Sequence, residues 1–123
     1  MEVTIEKISK KYLKDAYKIY NYYIVNSYSN FEEKKLTFNQ FHSHYKNIAK
    51  NKLPYLIALS EKKVVGLAYL NRFREKSGYR FAFENTIYVH DKHIRQGIGY
   101  KLLKALLNVS KNNKNIKLIV AVI

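Results

Sequence analysis

The chain has 123 residues, 47% of them hydrophobic, and no cysteine; that is enough apolar material for one packed domain and excludes disulfide frameworks, thiol nucleophiles and thiolate metal sites. Its formal charge of +14 invites a nucleic-acid or acidic-membrane reading, yet only Arg72, Arg74, Arg80 and Arg95 among the 23 basic residues are arginine, and the lysines are spread through every segment. Scattered lysines make a solvated surface, so nucleic acid is not the expected partner, although an anionic ligand would gain from the same field.

Met1 to Ile5 contains no basic stretch leading into an apolar run, and no segment nears the ~20 apolar residues of a membrane helix, so a cytoplasmic protein without membrane association is expected. Val3 to Ile8 alternates as a half-buried strand does, and Ser9 stands where an N-cap belongs. Leu13, Ala16, Tyr17, Tyr20 and Ile24 recur at helical spacing from Lys10 to about Ser27. After a polar break, Thr37 caps a second helix whose apolar stripe is Phe38, Phe41, Tyr45, Ile48 and Ala49, and Pro54 lies beyond its end. Tyr55 to Leu59 and Val64 to Phe73 read as an antiparallel pair joined at Glu61-Lys62-Lys63. Phe81 to Val89 is a further strand, with Phe83, Asn85, Ile87 and Val89 on one face and Glu84, Thr86 and Tyr88 on the other. From Gly97 the period turns helical through Ile98, Leu102, Ala105, Leu106 and Val109, and Ile116 to Ile123 forms a last apolar strand.

Only the final strand-helix-strand unit requires a parallel crossover. The expectation is therefore one α+β domain over residues 1–123, layered α/β/α, with a mixed, mostly antiparallel sheet and helices on both faces.

The junction from Ile87-Tyr88-Val89-His90 to Arg95-Gln96-Gly97-Ile98-Gly99-Tyr100 is where chemistry concentrates. A strand ends, a loop turns and glycines open a helix, so unpaired N–H groups and the helix dipole face outward to an anion such as a pyrophosphate. Lys101 and Lys104 add positive potential nearby. Two glycines one residue apart also open ordinary helices, so the pattern alone names no ligand. A Rossmann loop would need a third glycine, and a Walker loop would need Gly-Lys-Ser/Thr.

Gly97-Ile98-Gly99 at a strand-to-helix junction resembles the acetyl-CoA motif of the GNAT superfamily of N-acetyltransferases, Gln/Arg-x-x-Gly-x-Gly/Ala. Upstream, Tyr20 to Ile24 with Asn26-Ser27, Asn30-Phe31-Glu32, Phe73-Arg74, and Tyr79 to Glu84 are similar, in order, to signature blocks of the phosphinothricin N-acetyltransferase group. The chain departs from the motif with Ile94 in place of Arg or Gln and Arg95 in place of a common glycine; a pyrophosphate held chiefly by backbone N–H groups should tolerate both. The resemblance implies the GNAT fold, acetyl-CoA as acetyl donor, no metal, and transfer to the primary amine of a small amino-acid-like acceptor. It further implies that Ile87 and Val89 offer main-chain groups to the pantetheine arm, with Tyr88 between them also cofactor-binding, and that Arg95, Gln96, Gly97, Ile98, Gly99 and Tyr100 hold the pyrophosphate.

Acetyl transfer needs a base for the amine proton, and by the resemblance that base is Glu84, whose carboxylate among aromatic neighbours would have raised proton affinity. A strand carboxylate paired with a basic residue is the plainer alternative. Phe31, Glu32, Phe73, Arg74 and Lys76 fall where the family contacts its acceptor, with Arg74 suited to clamp a carboxylate. His42 and His44 form an H-x-H on a helix, where neighbours two apart diverge, so both are read as surface residues and not as metal ligands. His90 and His93 are read as structural or phosphate-proximal, and the twelve tyrosines as packing, with Tyr88 and Tyr100 near enough to approach a ligand.

The family fold continues past its fifth strand, whereas the sequence stops at Ile123. A C-terminally truncated domain is the resulting expectation, with Ile116 to Ile123 as an exposed apolar edge prone to instability, aggregation or pairing with another chain, a homodimer included. The reading from a different class is a basic module that binds nucleic acid or a protein partner without catalysis.

Overall fold

The computed structural model describes residues 3–26, 36–72, 82–90, 97–111 and 118–121. The strands are β1 (Thr4–Lys7), β2 (Tyr55–Ser60), β3 (Lys63–Arg72), β4 (Ala82–Val89) and β5 (Leu118–Ala121); the helices are α1 (Leu13–Asn26), α2 (Phe38–Lys50) and α3 (Ile98–Ser110). The strands form a single sheet in chain order, antiparallel from β1 to β4, with β5 parallel to β4. The layered α+β architecture and the lone parallel crossover thus agree with the sequence reading.

Two apolar layers clothe the sheet. On one face Leu13, Ala16, Ile19 and Tyr20 of α1 and Phe41 and Ile48 of α2 bury against Tyr55, Ile57, Leu67, Tyr69 and Tyr88. On the other, Ile98, Leu102 and Leu106 of α3 bury against Leu56, Ala58, Val65, Ala68, Leu70 and Phe83. Every residue of β2 is buried, because it lies between neighbouring strands and beneath helices on both sides.

Local chemistry sets the element boundaries. Thr37 and Gln40 form a reciprocal capping box at the start of α2, Gln40 N–H donating to Thr37 Oγ1 at 3.2 Å and Thr37 N–H to Gln40 Oε1 at 2.8 Å. The β2–β3 loop shortens to Glu61-Lys62, both left-handed (φ 52° and 65°), the conformation that matches the twist of two paired strands. Neither residue is glycine, so the turn costs on the order of 1–2 kcal/mol per residue.

Several local expectations need correction. Ser9 precedes a 3₁₀ turn at Lys10–Tyr12, but its side chain makes no capping bond; its carbonyl instead accepts the Tyr12 N–H at 3.0 Å. Ile19, outside the expected α1 stripe, is buried, because the apolar arc of α1 is wide enough to reach the sheet on that flank. Val109, expected in line with the buried face of α3, is 46% exposed, because the buried row runs through Ile98, Leu102, Leu106 and Ser110, four residues apart, and Val109 lies to its side. No helix among the described residues is long and apolar enough to cross a membrane.

Candidate active site

The carboxyl end of β4 and the amino end of α3 meet over β3. Gly66 of β3 pairs with Val89, and His90 continues the ladder by donating its N–H to Val65 O at 2.8 Å. An added Cβ at Gly66 would lie 2.9 Å from Leu102 Cδ1, 3.2 Å from Tyr88 O and 3.3 Å from Ile98 Cγ2. The missing side chain therefore lets α3 settle directly onto the strand. Sequence reasoning passed over Gly66, although a glycine inside an apolar strand is a recognisable signal of close backbone approach.

Gly97 enters α3 in the left-handed conformation (φ 75°), which only glycine adopts without cost, and its carbonyl accepts the Lys101 N–H at 3.1 Å. The preceding N–H groups, of Ile98, Gly99 and Tyr100, have no acceptor within the helix. Among the described residues, a Cβ at Gly97 would meet nothing within 4 Å, and one at Gly99 would touch Val89 Cγ2 at an ordinary 3.7 Å. Among the described residues, therefore, the glycine at 99 answers no steric demand from the protein. Unpaired donors and dipole together fit an anionic phosphate group. Tyr100 is 69% exposed in the first turn, whereas the Tyr88 ring is buried on the far face, edge-on to Tyr20 at 6.1 Å. Tyr88 also pairs with Leu67 of β3, two positions along from the hydrogen-bonded Val65–His90 pair, so its main-chain groups are turned into the sheet and those of Ile87 and Val89 are turned away from β3.

β4 pairs with β3 up to Val89, but its pairing with β5 runs only from Ala82 to Asn85 among the described residues. Ile87 and Val89 thus lie beyond the described part of the β5 ladder, and their side chains pack toward the α3 layer. Glu84 stands in register with Asn71 of β3 and Val120 of β5; its side chain lies outside the described atoms. Phe31, Glu32, Phe73, Arg74, Lys76, His93, Arg95 and Gln96 lie outside the described residues. His90 is half-buried and helps line a cavity of about 430 Å³ with Asp15, Lys18, Ile19, Tyr22, Lys63 and Val64.

The two α2 histidines correct the surface reading. His42 stacks between Phe38 and Tyr45, ring centroids 6.3 and 6.2 Å away. His44 turns the other way, its ring edge-on to Tyr69 at 5.3 Å and its Nε2 3.5 Å from Asn71 Nδ2. Burial lowers the proton affinity of His44 below its ordinary value. Its Nδ1 and Asn21 Oδ1 are buried polar atoms with no hydrogen-bond partner among the described residues. The signal was present: His44 follows Phe41 by three and precedes Ile48 by four, which puts it on the stripe facing the sheet. Among the described residues no group of three or more His, Asp and Glu side chains is arranged to hold a metal ion.

Residues 13–123 match the Acetyltransferase (GNAT) family. The phosphinothricin N-acetyltransferase of Alcaligenes faecalis is 32% identical over 89 residues, which are 72% of this chain and 45% of that protein. The enzyme of the same name from Streptomyces viridochromogenes is 32% identical over 105 residues, 85% of this chain and 56% of its own length. The chain spans about half the length of these relatives. Among solved structures, a GNAT superfamily phosphinothricin acetyltransferase from Sinorhizobium meliloti in complex with AcCoA superposes with a TM-score of 0.81 at 30% identity, covering 89% of this chain and 60% of that one. An N-acetyltransferase from Staphylococcus aureus Mu50 superposes with a TM-score of 0.89 at 25% identity, covering 98% and 73%.

Proposed function

The chain belongs to the GNAT acetyltransferase family, and from that premise we propose that it transfers an acetyl group from acetyl-CoA to the primary amine of a small amino-acid-like acceptor, residues 1–123 working as one domain. The observation that carries the reading is the start of α3, where Gly97 is left-handed and Gly99 lies against Val89 at the end of β4.

When bound, acetyl-CoA supplies the thioester whose acyl carbon the amine attacks. The N–H groups of Ile98, Gly99 and Tyr100 hold the pyrophosphate, with Arg95 and Gln96 at the end of the loop adding charge and hydrogen bonds. Main-chain groups of Ile87 and Val89, which flank Tyr88 and face away from β3, hold the pantetheine amides as an added strand would be held. Glu84 takes the proton that the incoming ammonium must lose before its nitrogen can attack. Phe31, Glu32, Phe73, Arg74 and Lys76 form the acceptor's surroundings, Arg74 matching a carboxylate by paired hydrogen bonds. Three of the similar proteins above carry phosphinothricin in their names, which makes that compound the first amine to test.

Calorimetry with acetyl-CoA and an assay for released CoA with phosphinothricin test the reading separately. Binding and turnover are expected in the intact chain. Glu84→Gln is expected to keep acetyl-CoA affinity within twofold and to lower kcat by about 100-fold, the scale on which a positioned general base acts. Absence of both binding and CoA release, across phosphinothricin and a panel of amino acids, would remove the proposal.

A further inference from the structure

One partly buried titratable group takes no part in the reaction as described above, and it stands beside the strand pair that contains Glu84. His44 reaches from α2 to the end of β3. Its Nε2 lies 3.5 Å from Asn71 Nδ2, and its ring is fixed edge-on to Tyr69, two residues earlier on the same strand. Asn71 is directly opposite Glu84 in the β3–β4 register, and among the described residues one further pair, Arg72–Phe83, follows it. Pairs at a strand end fray unless something ties them down. Here the tie is a helix held by a capping box and by the fully buried Phe41 and Ile48.

The chemistry of the contact depends on a neutral ring. In either tautomer one ring nitrogen faces the Asn71 amide, while Nδ1 is buried with no hydrogen-bond partner among the described residues. Nε2 can accept from the Asn71 amide only while it carries no proton, and a second ring proton there would set two donors against each other, so the neutral form is the one the site accommodates. A neutral, rigidly packed imidazole can hold an amide in place without adding a charge next to a carboxylate whose proton affinity matters.

We propose that His44 is a positioning residue for acetyl transfer: acting through Asn71, it holds the end of β3 against β4 so that Glu84 is fixed where the amine proton is taken. This rests on the acetyltransferase reading, and its role is distinct from contact with either substrate. Misplacement of a reacting group by a fraction of an ångström lowers the rate of the chemical step more than it weakens binding.

The experiment measures, in the full chain, kcat and KM for phosphinothricin and the acetyl-CoA affinity by calorimetry. The proteins are wild type, His44→Leu, His44→Gln, Asn71→Ala and the His44→Leu, Asn71→Ala double variant. His44→Leu is expected to lower kcat about tenfold with KM and acetyl-CoA affinity within twofold, a loss on the scale of displaced catalytic geometry. His44→Gln, whose neutral amide can still meet Asn71, is expected to recover most of that loss. The double variant should be no slower than the slower single one, because both act through one contact. A His44→Leu enzyme with kcat within twofold of wild type overturns the inference and leaves the acetyltransferase reading standing; so do losses that multiply in the double variant. If His44→Leu does not fold, His44→Gln and Asn71→Ala decide: Asn71→Ala slow with His44→Gln near wild type supports the inference, and any other pairing overturns it. A wild-type chain that neither binds acetyl-CoA nor releases CoA refutes the reading and the inference together.

Discussion

The two faces of the sheet are packed by different means. Beneath α3 the contacts are aliphatic and close, with Leu102 and Leu106 over Ala68 and Leu70, and the one buried hydroxyl of the helix, on Ser110, is satisfied by Leu106 O at 2.7 Å. Beneath α1 and α2 the layer is aromatic, built on contacts such as Tyr20–Phe41 at 5.3 Å and Tyr55–Tyr69 at 4.9 Å. Polar atoms are buried within it, and Tyr17 Oη donates to Leu36 O at 2.6 Å. The contrast teaches a division of labour. Aliphatic contact at van der Waals distance seats a backbone, which is what a helix start needs to present its N–H groups to an anion. Rings with polar rims can instead orient side chains, which is what proton transfer to and from an amine needs.

If that division holds, substitutions on the α3 face should act first on stability. Leu102→Ala removes a fully buried side chain from a site bounded by a strand on one side and its own helix on the other, and should cost about 2–5 kcal/mol in urea unfolding. A loss below 1 kcal/mol would mean that the face is looser than its contacts indicate. Gly66→Ala should cost less, about 1–3 kcal/mol, because one clash is with the flexible end of Leu102. Its other neighbours are Tyr88 O at 3.2 Å and Ile98 Cγ2 at 3.3 Å, which belong to the two elements proposed to hold acetyl-CoA. Acetyl-CoA affinity should therefore fall together with stability. If calorimetry shows stability lost and affinity unchanged, the close seating of α3 is structural only, and the contrast between the faces loses its functional half.

Much of this division was legible before any coordinates. The order of elements, the Thr37 cap and the faces of β4 all follow from periodicity and turn chemistry, because alternation and helical spacing are properties of local sequence. The segment from Ile87 to Gly99 stood out for the same reason, since glycines at a strand-to-helix change of period are a local feature. What local pattern does not carry is which side chains meet across elements. Gly66 matters because α3, some thirty residues later, must rest on it, and His44 because its helix packs at the height of Asn71. Neither relation has a period. The H-x-H spacing correctly argued against a shared metal, but it led to a surface reading because it addressed only how His42 and His44 face each other, and not what each one faces.

The smallest expected effect separates the faces by charge. Burial holds His44 below its ordinary value of 6.5 because the protonated ring would lose its water without gaining an acceptor. As pH falls below 6.5 the unfolded chain takes up a proton that the folded chain refuses, so the stability contributed by the neutral ring is fully present above 6.5 and is lost progressively toward the lowered folded value. Urea unfolding at about pH 7.5 and about pH 5.5, which bracket the ordinary titration of histidine, should show a larger loss for wild type than for His44→Gln, the other titrating groups being common to both. Leu102→Ala, on the opposite face, should show the same loss between the two pH values as wild type. Equal losses in wild type and His44→Gln would mean that water reaches the ring in solution, and the aromatic face would then be as wet as it is polar.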